Sequence, residues 1–201
     1  MLFVRKPTVA RINRFLAQQA KQPFSYAEIA RTRDVPPRGY DVDHRRVCLG
    51  TGLEAFHAAC HALQRWEMFQ LGWVQPCWPD TPIAVGSVVG ILASCWGLWW
   101  LNACRIVYVI DETSPVRKFG FAYGTLPDHV ERGEERFTVE WHADQTVWYD
   151  LLAFSRPGYW LVRLGYPLAR RLQKRFGDDS VAAMEQAVRT LPRVASLGSS
   201  S

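Results

Sequence analysis

A glutamate, a histidine and a tyrosine near the middle of the chain are of the residue types that acid–base catalysis uses. They lie in the segment GFAYGTLPDHVERGEERF, residues 120–137. Glu135 falls in phase with the apolar residues of the strand predicted after the turn, whereas its neighbour Glu134 falls on the polar face. A carboxyl group directed at an apolar interior is a candidate acid, base or ligand anchor, because burial without a partner disfavours its charge. The alternative is that Glu135 emerges into water or caps a hairpin.

His129 and Tyr123 could take part in the same chemistry. His129 lies in the charged loop, where Glu131 or Glu135 could provide the hydrogen-bond partner that a general base needs. Tyr123 stands in line with Phe121 on one face of a predicted strand and could reach a cavity. The ordinary alternatives are a solvated loop histidine and a core tyrosine bonded to the backbone. We take Glu135, His129 and Tyr123 as the candidate catalytic residues.

Further residues with rings or charges are predicted to contact a ligand in the same interior. Arg105 shares a face with Val107 and Val109 in the strand predicted at 104–111. We therefore expect a structural ion pair, with Glu135 across the sheet or with Asp111 near the strand end. The candidate ligand-binding residues are Trp100, Arg105, Tyr108, Phe121, Tyr123 and Trp148.

The amino-terminal region predicts a helix followed by an arm. Thr8 can cap a helix in which Ile12, Phe15 and Leu16 share one apolar face, and Pro23 stops it. Residues 24–40 contain two adjacent prolines and are expected to form an extended arm laid over the body.

The middle of the chain predicts an antiparallel sheet interrupted by one helix. The strands are predicted at 43–50, 104–111, 119–126, 134–142 and 146–155, and the helix at 53–66. Gly120, Ala122 and Gly124 make one face of the strand 119–126 flat, so that another element can lie closely against it.

The uncharged stretch 81–104 is long enough to cross a bilayer. Pro82, several glycines and Asn102 oppose that interpretation. We favour two buried strands joined by a turn near Gly97.

The carboxyl-terminal region predicts two helices. The first spans 157–176, begins after Arg156, is kinked by Pro167 and ends at Gly177; the second spans 178–191. The domain prediction is a helical arm at 1–40, one domain at 41–192 and a mobile tail at 193–201. We predict an α+β fold in which a curved antiparallel sheet wraps around a long carboxyl-terminal helix.

Composition limits the classes of partner. The net charge is +5, but no nucleic-acid-binding motif accompanies the basic segments, so no specific nucleic-acid partner is expected. The five cysteines lack metal-ligand spacing, and no dinucleotide or phosphate-binding fingerprint occurs, so we predict no metal and no cofactor. The opening residues have no secretory pattern, and reduced cysteines fit a cytoplasmic location.

Several long runs resemble a known family. HRRVCLGTGLEAF (44–56), LNACRIVYVIDE (101–112), FGFAYGTLPDHVERGEERF (119–137) and WYDLLAFSRP (148–157) closely resemble uncharacterised protein family 0548. That family is placed near the superfamily of START proteins and birch-pollen allergens, which have a helix-grip fold. The resemblance implies this fold with a cavity, because superfamily members bind lipids, sterols, polyketides or plant hormones. It provides no catalytic set, since no activity of the family carries over.

The sequence therefore supports three functional hypotheses. The first is binding of a hydrophobic or amphipathic small molecule, lipid-like, polyketide-like or isoprenoid-like, in an internal cavity. The alternative is an enzyme (a cyclase, isomerase or hydrolase) that uses the same cavity for acid–base chemistry. The third is weak membrane-surface contact through basic helix faces, with lipid transfer as its purpose. The oligomeric state is not predicted.

Overall fold

The computed structural model describes residues 1–158 and 166–190. The helices are α1 (Val9–Gln19), α2 (Gly52–Gln64) and α3 (Tyr166–Thr190). The strands are β1 (Leu2–Phe3), β2 (Asp41–Thr51), β3 (Val74–Pro76), β4 (Val88–Cys95), β5 (Leu98–Glu112), β6 (Arg117–Thr125), β7 (Glu131–Trp141) and β8 (Thr146–Pro157). Short 3-10 turns lie at Arg31–Arg33 and Glu67–Phe69.

The strands pair antiparallel in the order β2-β8-β7-β6-β5-β4-β3, with β1 added beside β5. From β4 to β8, each strand pairs with the next along the chain, and β2 closes on β8. The sheet is curved, and α3 lies on its inner face together with α2. The predicted α+β helix-grip fold is confirmed.

Aromatic rings fill the core between the inner face of the sheet and helices α2 and α3. Trp66 meets Phe121 at a centroid distance of 4.9 Å, and Phe69 meets Phe137 at 5.5 Å. A second, smaller cluster lies on the outer face, where α1 covers β4 and β5. It contains Ile12, Phe15, Leu16, Leu92, Leu101, Ala103 and Leu126. Thr8 caps α1 as predicted, because its hydroxyl accepts a hydrogen bond from the backbone N–H of Arg11.

The uncharged stretch forms strands β4 and β5, joined by a turn at Trp96 and Gly97. Within these two strands, residues 88–95 and 98–104 are buried or half-buried, which is why they carry no charged side chain. None of the helices in residues 1–158 and 166–190 combines the length and hydropathy of a transmembrane segment.

A β-bulge in β5 corrects the predicted orientation of its side chains. The pairing with β6 shifts register between Ile106 and Tyr108. The extra residue, Val107, places Arg105 and Tyr108 on the same outer face and turns Ile106 and Val109 inward. Strict alternation had placed Arg105 with the inward residues, and that prediction is wrong.

The carboxyl-terminal helix also differs from the prediction. Arg156 and Pro157 belong to β8 and do not begin a helix. Pro167 lies in the first turn of α3, where its missing N–H breaks no helical hydrogen bond. Residues 159–165 of the predicted first helix, and the predicted tail 193–201, lie outside the described residues.

Gly177 does not end α3, which continues to Thr190. The acidic residues expected to cap a second helix are engaged elsewhere. Asp178 accepts from Arg45 Nε at 2.8 Å, and Asp179 accepts from Trp73 Nε1 at 2.8 Å. Tertiary contacts have therefore overridden the local stop signal.

The arm crosses the outer face of the sheet at its flattest point. A Cβ atom added at Gly124 would lie 2.1 Å from the Tyr26 hydroxyl oxygen, so only glycine leaves room for this ring. A Cβ added at Gly177 would meet Arg45 Cγ at 3.4 Å, an ordinary contact.

These two glycines give a matched pair of substitutions. We expect Gly124→Ala to lower the free energy of unfolding by about 1–3 kcal/mol, because the methyl group overlaps a fixed ring. Gly177→Ala is expected to raise it by about 0.5–1 kcal/mol through helix propensity. Urea unfolding measures both. Tyr26→Ala combined with Gly124→Ala should destabilise by less than the sum of the two, and strict additivity would contradict the predicted overlap.

Candidate functional site

The inner face of the sheet and α3 border a cavity of about 490 Å³ that is partly open to solvent. Its walls are mostly apolar and include Phe69, Trp73, Ile91, Leu98, Trp100, Leu151, Leu172 and Phe176. Small-molecule sites in proteins have this size and combine apolar walls with a few polar groups.

Strand β7 directs two glutamates to this cavity and one to the opposite face. Glu131 and Glu135 line the cavity, since residues four apart in a strand share a face. Glu134, one position away from Glu135, is held on the outer face by the arm. Gly133, between the two inner glutamates, adds no side chain to the cavity wall.

Glu135 is joined to Tyr123. The Tyr123 hydroxyl donates to Glu135 Oε2 at 2.7 Å from the adjacent strand β6, where the two residues are register partners. Burial raises the pKa of Glu135 to about 8, and Glu131 and Asp43 add repulsion that acts in the same direction. Burial also raises the pKa of Tyr123 well above its ordinary value. At neutral pH the pair is therefore largely uncharged.

Glu131 is joined to α3. The side-chain amide of Gln173 donates to Glu131 and also to Ser155 Oγ, the latter at 2.8 Å. Burial raises the pKa of Glu131 to about 7, against the lowering effect of this amide and of Arg170. Arg170 itself forms an ion pair with Asp43 at 2.5 Å. The end of the cavity near Glu131 and Gln173 is thus the more polar one.

His129 lines the cavity and is not a solvated loop residue. Its Nδ1 accepts a hydrogen bond from the backbone N–H of Glu131 at 3.0 Å. Burial lowers the pKa of His129 to about 3, so the ring is neutral at physiological pH. Since Nδ1 accepts, the ring proton resides on Nε2, which is available as a donor.

Four of the residues predicted from the sequence border the cavity: His129, Glu135, Tyr123 and Trp100. Phe121 faces inward but is fully buried in the core between Trp66 and Phe137, away from the cavity lining.

Arg105 does not contact the cavity and pairs with neither Glu135 nor Asp111. Its guanidinium donates to the backbone carbonyls of Ala20 and Gln22, at 2.8 and 2.9 Å, and so closes the carboxyl end of α1. The bulge at Val107 explains the difference, because it puts Arg105 on the outer face.

Tyr108 and Trp148 also lie on the outer face. The Tyr108 hydroxyl shares a hydrogen bond of 2.7 Å with Thr32 Oγ1 of the arm. The Trp148 ring lies under the guanidinium of Arg46, whose central carbon is 5.1 Å from the ring centroid. Both residues were predicted to bind ligand, and the structure gives them contacts on the outer face of the sheet instead.

Glu134 fixes the arm to that face. Its carboxylate accepts from the Tyr26 hydroxyl at 2.8 Å and from the backbone N–H groups of Ala30 and Thr32 at 2.7 and 2.9 Å. Glu134 is only 2% exposed. Several donors therefore meet the buried carboxyl group of Glu134, whereas the carboxyl group of Glu135 has one donor.

Sequence reasoning underestimated Glu131 and missed Gln173. Extending the predicted strand by three residues, from 134 to 131, would have placed Glu131 on the same inner face as Glu135. Gln173 follows Leu172 and precedes Phe176 by three positions, so helical spacing would have placed it near the apolar stripe. No local signal could have paired Arg170 with Asp43, because their contact depends on the packing of α3 against β2. Among the described residues, no group of three His, Cys, Asp or Glu side chains could hold a metal ion.

Comparison with known proteins identifies the family. Residues 25–183 match the family described as Domain of unknown function (DUF1990). The chain belongs to this family. It is 40% identical over 207 residues to a UPF0548 protein of Dictyostelium discoideum, covering 94% of this chain and 96% of that protein. It is 36% identical over 190 residues to a UPF0548 protein of Deinococcus radiodurans, covering 87% and 92%. The resemblance inferred from the sequence runs is confirmed.

Solved structures with a similar chain trace include two helix-grip proteins. The crystal structure of Ara h 8.0201 matches with a TM-score of 0.46 at 12% identity, covering 75% of this chain and 99% of that one. Human STARD10 matches with a TM-score of 0.37 at 10% identity, covering 94% and 85%.

The raised pKa of Glu135 predicts a specific pH dependence of stability. The ordinary pKa of a glutamate is 4.5, so between pH 5 and 8 the folded state retains a proton that the unfolded state releases. Stability then falls as pH rises, by about 1.4 kcal/mol per unit for this group. Glu135→Gln removes the contribution. We expect its free energy of unfolding, relative to the wild type, to increase steadily from pH 5 to pH 8.

Urea unfolding at pH 5, 6, 7 and 8 measures this difference, with the exposed Glu112→Gln as the control that should show a constant offset. His129 has the opposite effect on the free energy of unfolding below pH 6.5, its ordinary pKa. In that range only the unfolded state takes up a proton on this residue, so stability falls as the pH falls. That contribution is common to the wild type and both variants and cancels. Parallel curves for Glu135→Gln and the wild type would refute the buried, protonated carboxyl.

Proposed function

We propose that the protein binds a hydrophobic or amphipathic small molecule, lipid-like, polyketide-like or isoprenoid-like, in the cavity between the sheet and α3. The observation that carries this proposal is the cavity of about 490 Å³ with apolar walls. Its lining is mostly apolar, and a ligand that removes apolar surface from water gains free energy of binding. A space of this size, bordered by tryptophan and leucine side chains, therefore favours an apolar occupant.

The polar groups of the cavity would orient that occupant. Glu135 with Tyr123, Glu131 with Gln173, and His129 all lie along its lining, while most of the remaining wall is apolar. A ligand with one polar end and an apolar body matches this division.

A cavity-filling variant tests the proposal. Ala153 lines the cavity beside Glu135, its register partner on β8, and Ala143 is exposed in the turn before β8. We expect Ala153→Phe to lower the affinity for N-phenyl-1-naphthylamine, a neutral apolar fluorophore, by about tenfold or more, which equals about 1.4 kcal/mol. The reason is that the phenylalanine ring occupies the space that the fluorophore needs.

Ala143→Phe adds the same ring outside the cavity and should bind the fluorophore as the wild type does. Fluorescence titration at pH 7 provides both affinities, and urea unfolding shows whether each variant is folded. Failure of the wild type to bind the fluorophore, or equal binding by Ala153→Phe, would contradict the proposal.

A second candidate function is acid–base catalysis in the same cavity. The observation that favours it is the presence of two buried carboxyl groups on one strand face, with pKa values raised to about 7 and about 8. Groups that titrate near neutrality can serve as base and acid at physiological pH. Glu131 would act as the base and Glu135 as the acid, with neutral His129 as a further donor.

Proton exchange tests this second function without a known substrate. With 2-octanone in deuterium oxide, we expect the protein to accelerate deuterium incorporation next to the carbonyl group, with an optimum between the two pKa values. NMR measures the rate. Glu131→Gln should reduce it by about 100-fold or more, in the range that general-base groups provide. A rate equal to that of buffer alone would exclude this chemistry for apolar ketones.

A further inference from the structure

One oxygen of the Glu135 carboxyl group has no partner inside the cavity. Tyr123 donates to Oε2, but no donor within residues 1–158 and 166–190 reaches Oε1. The half-buried side chain borders the cavity, so its unpaired oxygen is directed to the space that a ligand would occupy. This oxygen can accept a hydrogen bond from a molecule bound in the cavity.

The described surroundings of Glu135 supply no positive charge to it. The titratable groups that act on it among the described residues are all acids: Asp43 of β2, Cys104 of β5, Tyr123 of β6, Glu131 of the same strand β7 and Tyr149 of β8. Arg170 of α3 is engaged with Asp43. The cavity lining also includes the neutral ring of His129 and the Arg45 side chain, which is paired with Asp178, so no unpaired cation among the described residues meets Glu135.

We propose that the ligand of this cavity is an amphipathic amine, with its ammonium group held by Glu135 and its apolar body along Trp100, Leu172 and Phe176. This inference rests on the proposed binding function and specifies the class of ligand. An ammonium group supplies both the N–H donors and the charge that the carboxylate lacks. An alcohol supplies only a donor, and a carboxylate ligand would oppose the ionisation of Glu131 and Glu135 instead of favouring it.

Binding of a cation at Glu135 is linked to the release of its proton. The pKa of Glu135 is raised to about 8, so below this pH an ammonium group must displace a proton to bind. The affinity for an amine should then fall about tenfold per pH unit below 8, whereas the affinity for an uncharged analogue should not change. Alkylamines themselves stay protonated over this range, as the lysine side chain does with its pKa of about 10.4.

Three ligands of equal chain length test whether the cavity prefers an amine, an alcohol or a carboxylate. Octylamine, 1-octanol and octanoate each compete with N-phenyl-1-naphthylamine for the full-length protein at pH 6, 7 and 8. We expect octylamine to bind about tenfold or more tightly than octanol at pH 8, this preference to be lost by pH 6, and octanoate to bind most weakly. Calorimetry in two buffers of different ionisation heat should detect a proton released by octylamine at pH 7 and none by octanol.

The substitution Glu135→Gln keeps the shape of the side chain and removes its charge, and its preference for octylamine should disappear at pH 8. Glu112→Gln, an exposed change on the same sheet, should retain the preference. Equal affinities of octylamine and octanol for the wild type at pH 8, or a preserved preference in Glu135→Gln, would overturn the inference and leave apolar binding intact. If neither the fluorophore nor any octyl compound binds, the proposed function fails, and the inference fails with it.

Discussion

The alternation of side chains along β7 is the constraint on which both faces of the sheet depend. Two consecutive glutamates must point to opposite sides of a strand. Glu134 therefore meets the arm on the outer face, and Glu135 meets the cavity on the inner face. A shift of one residue in the pairing of β7 would turn Glu134 to the cavity and Glu135 to the arm, together with every other side chain of the strand. The register of this one strand thus couples the attachment of the arm to the chemistry of the interior.

The two glutamates have different surroundings on the two faces of the sheet. The carboxylate of Glu134 is surrounded by backbone N–H groups and a hydroxyl, which compensate for the loss of water. Glu135 receives one hydroxyl and faces other acids, so it takes up a proton instead. The arm therefore supplies donors to the buried carboxyl group of Glu134. The cavity leaves Glu135 with one donor and a raised pKa, so that this group can gain or lose a proton near neutral pH. A binding protein and a catalyst could both use the second environment.

The sequence predicted those parts of the site that follow from local periodicity. The inward directions of Glu135 and Tyr123, and the outward direction of Glu134, depend only on the period of a strand. Arg105 was misplaced because the bulge at Val107 is a property of the pairing between β5 and β6, which no local pattern encodes. The continuity of α3 through Gly177 likewise depends on the engagement of Asp178 and Asp179 with Arg45 and Trp73, residues distant in the sequence.

Strand β2 forms one edge of the sheet, with β8 as its neighbour in the strand order. Open edges of this length invite a second chain to add a strand, which is a route to aggregation. Here the side chains of Asp41, Asp43 and Arg45 are held by Tyr166, Arg170 and Asp178 of α3. A second chain adding here would have to accommodate these ion pairs and the helix that carries them. The contacts that close α3 over the cavity therefore also help to keep the protein dispersed at high concentration.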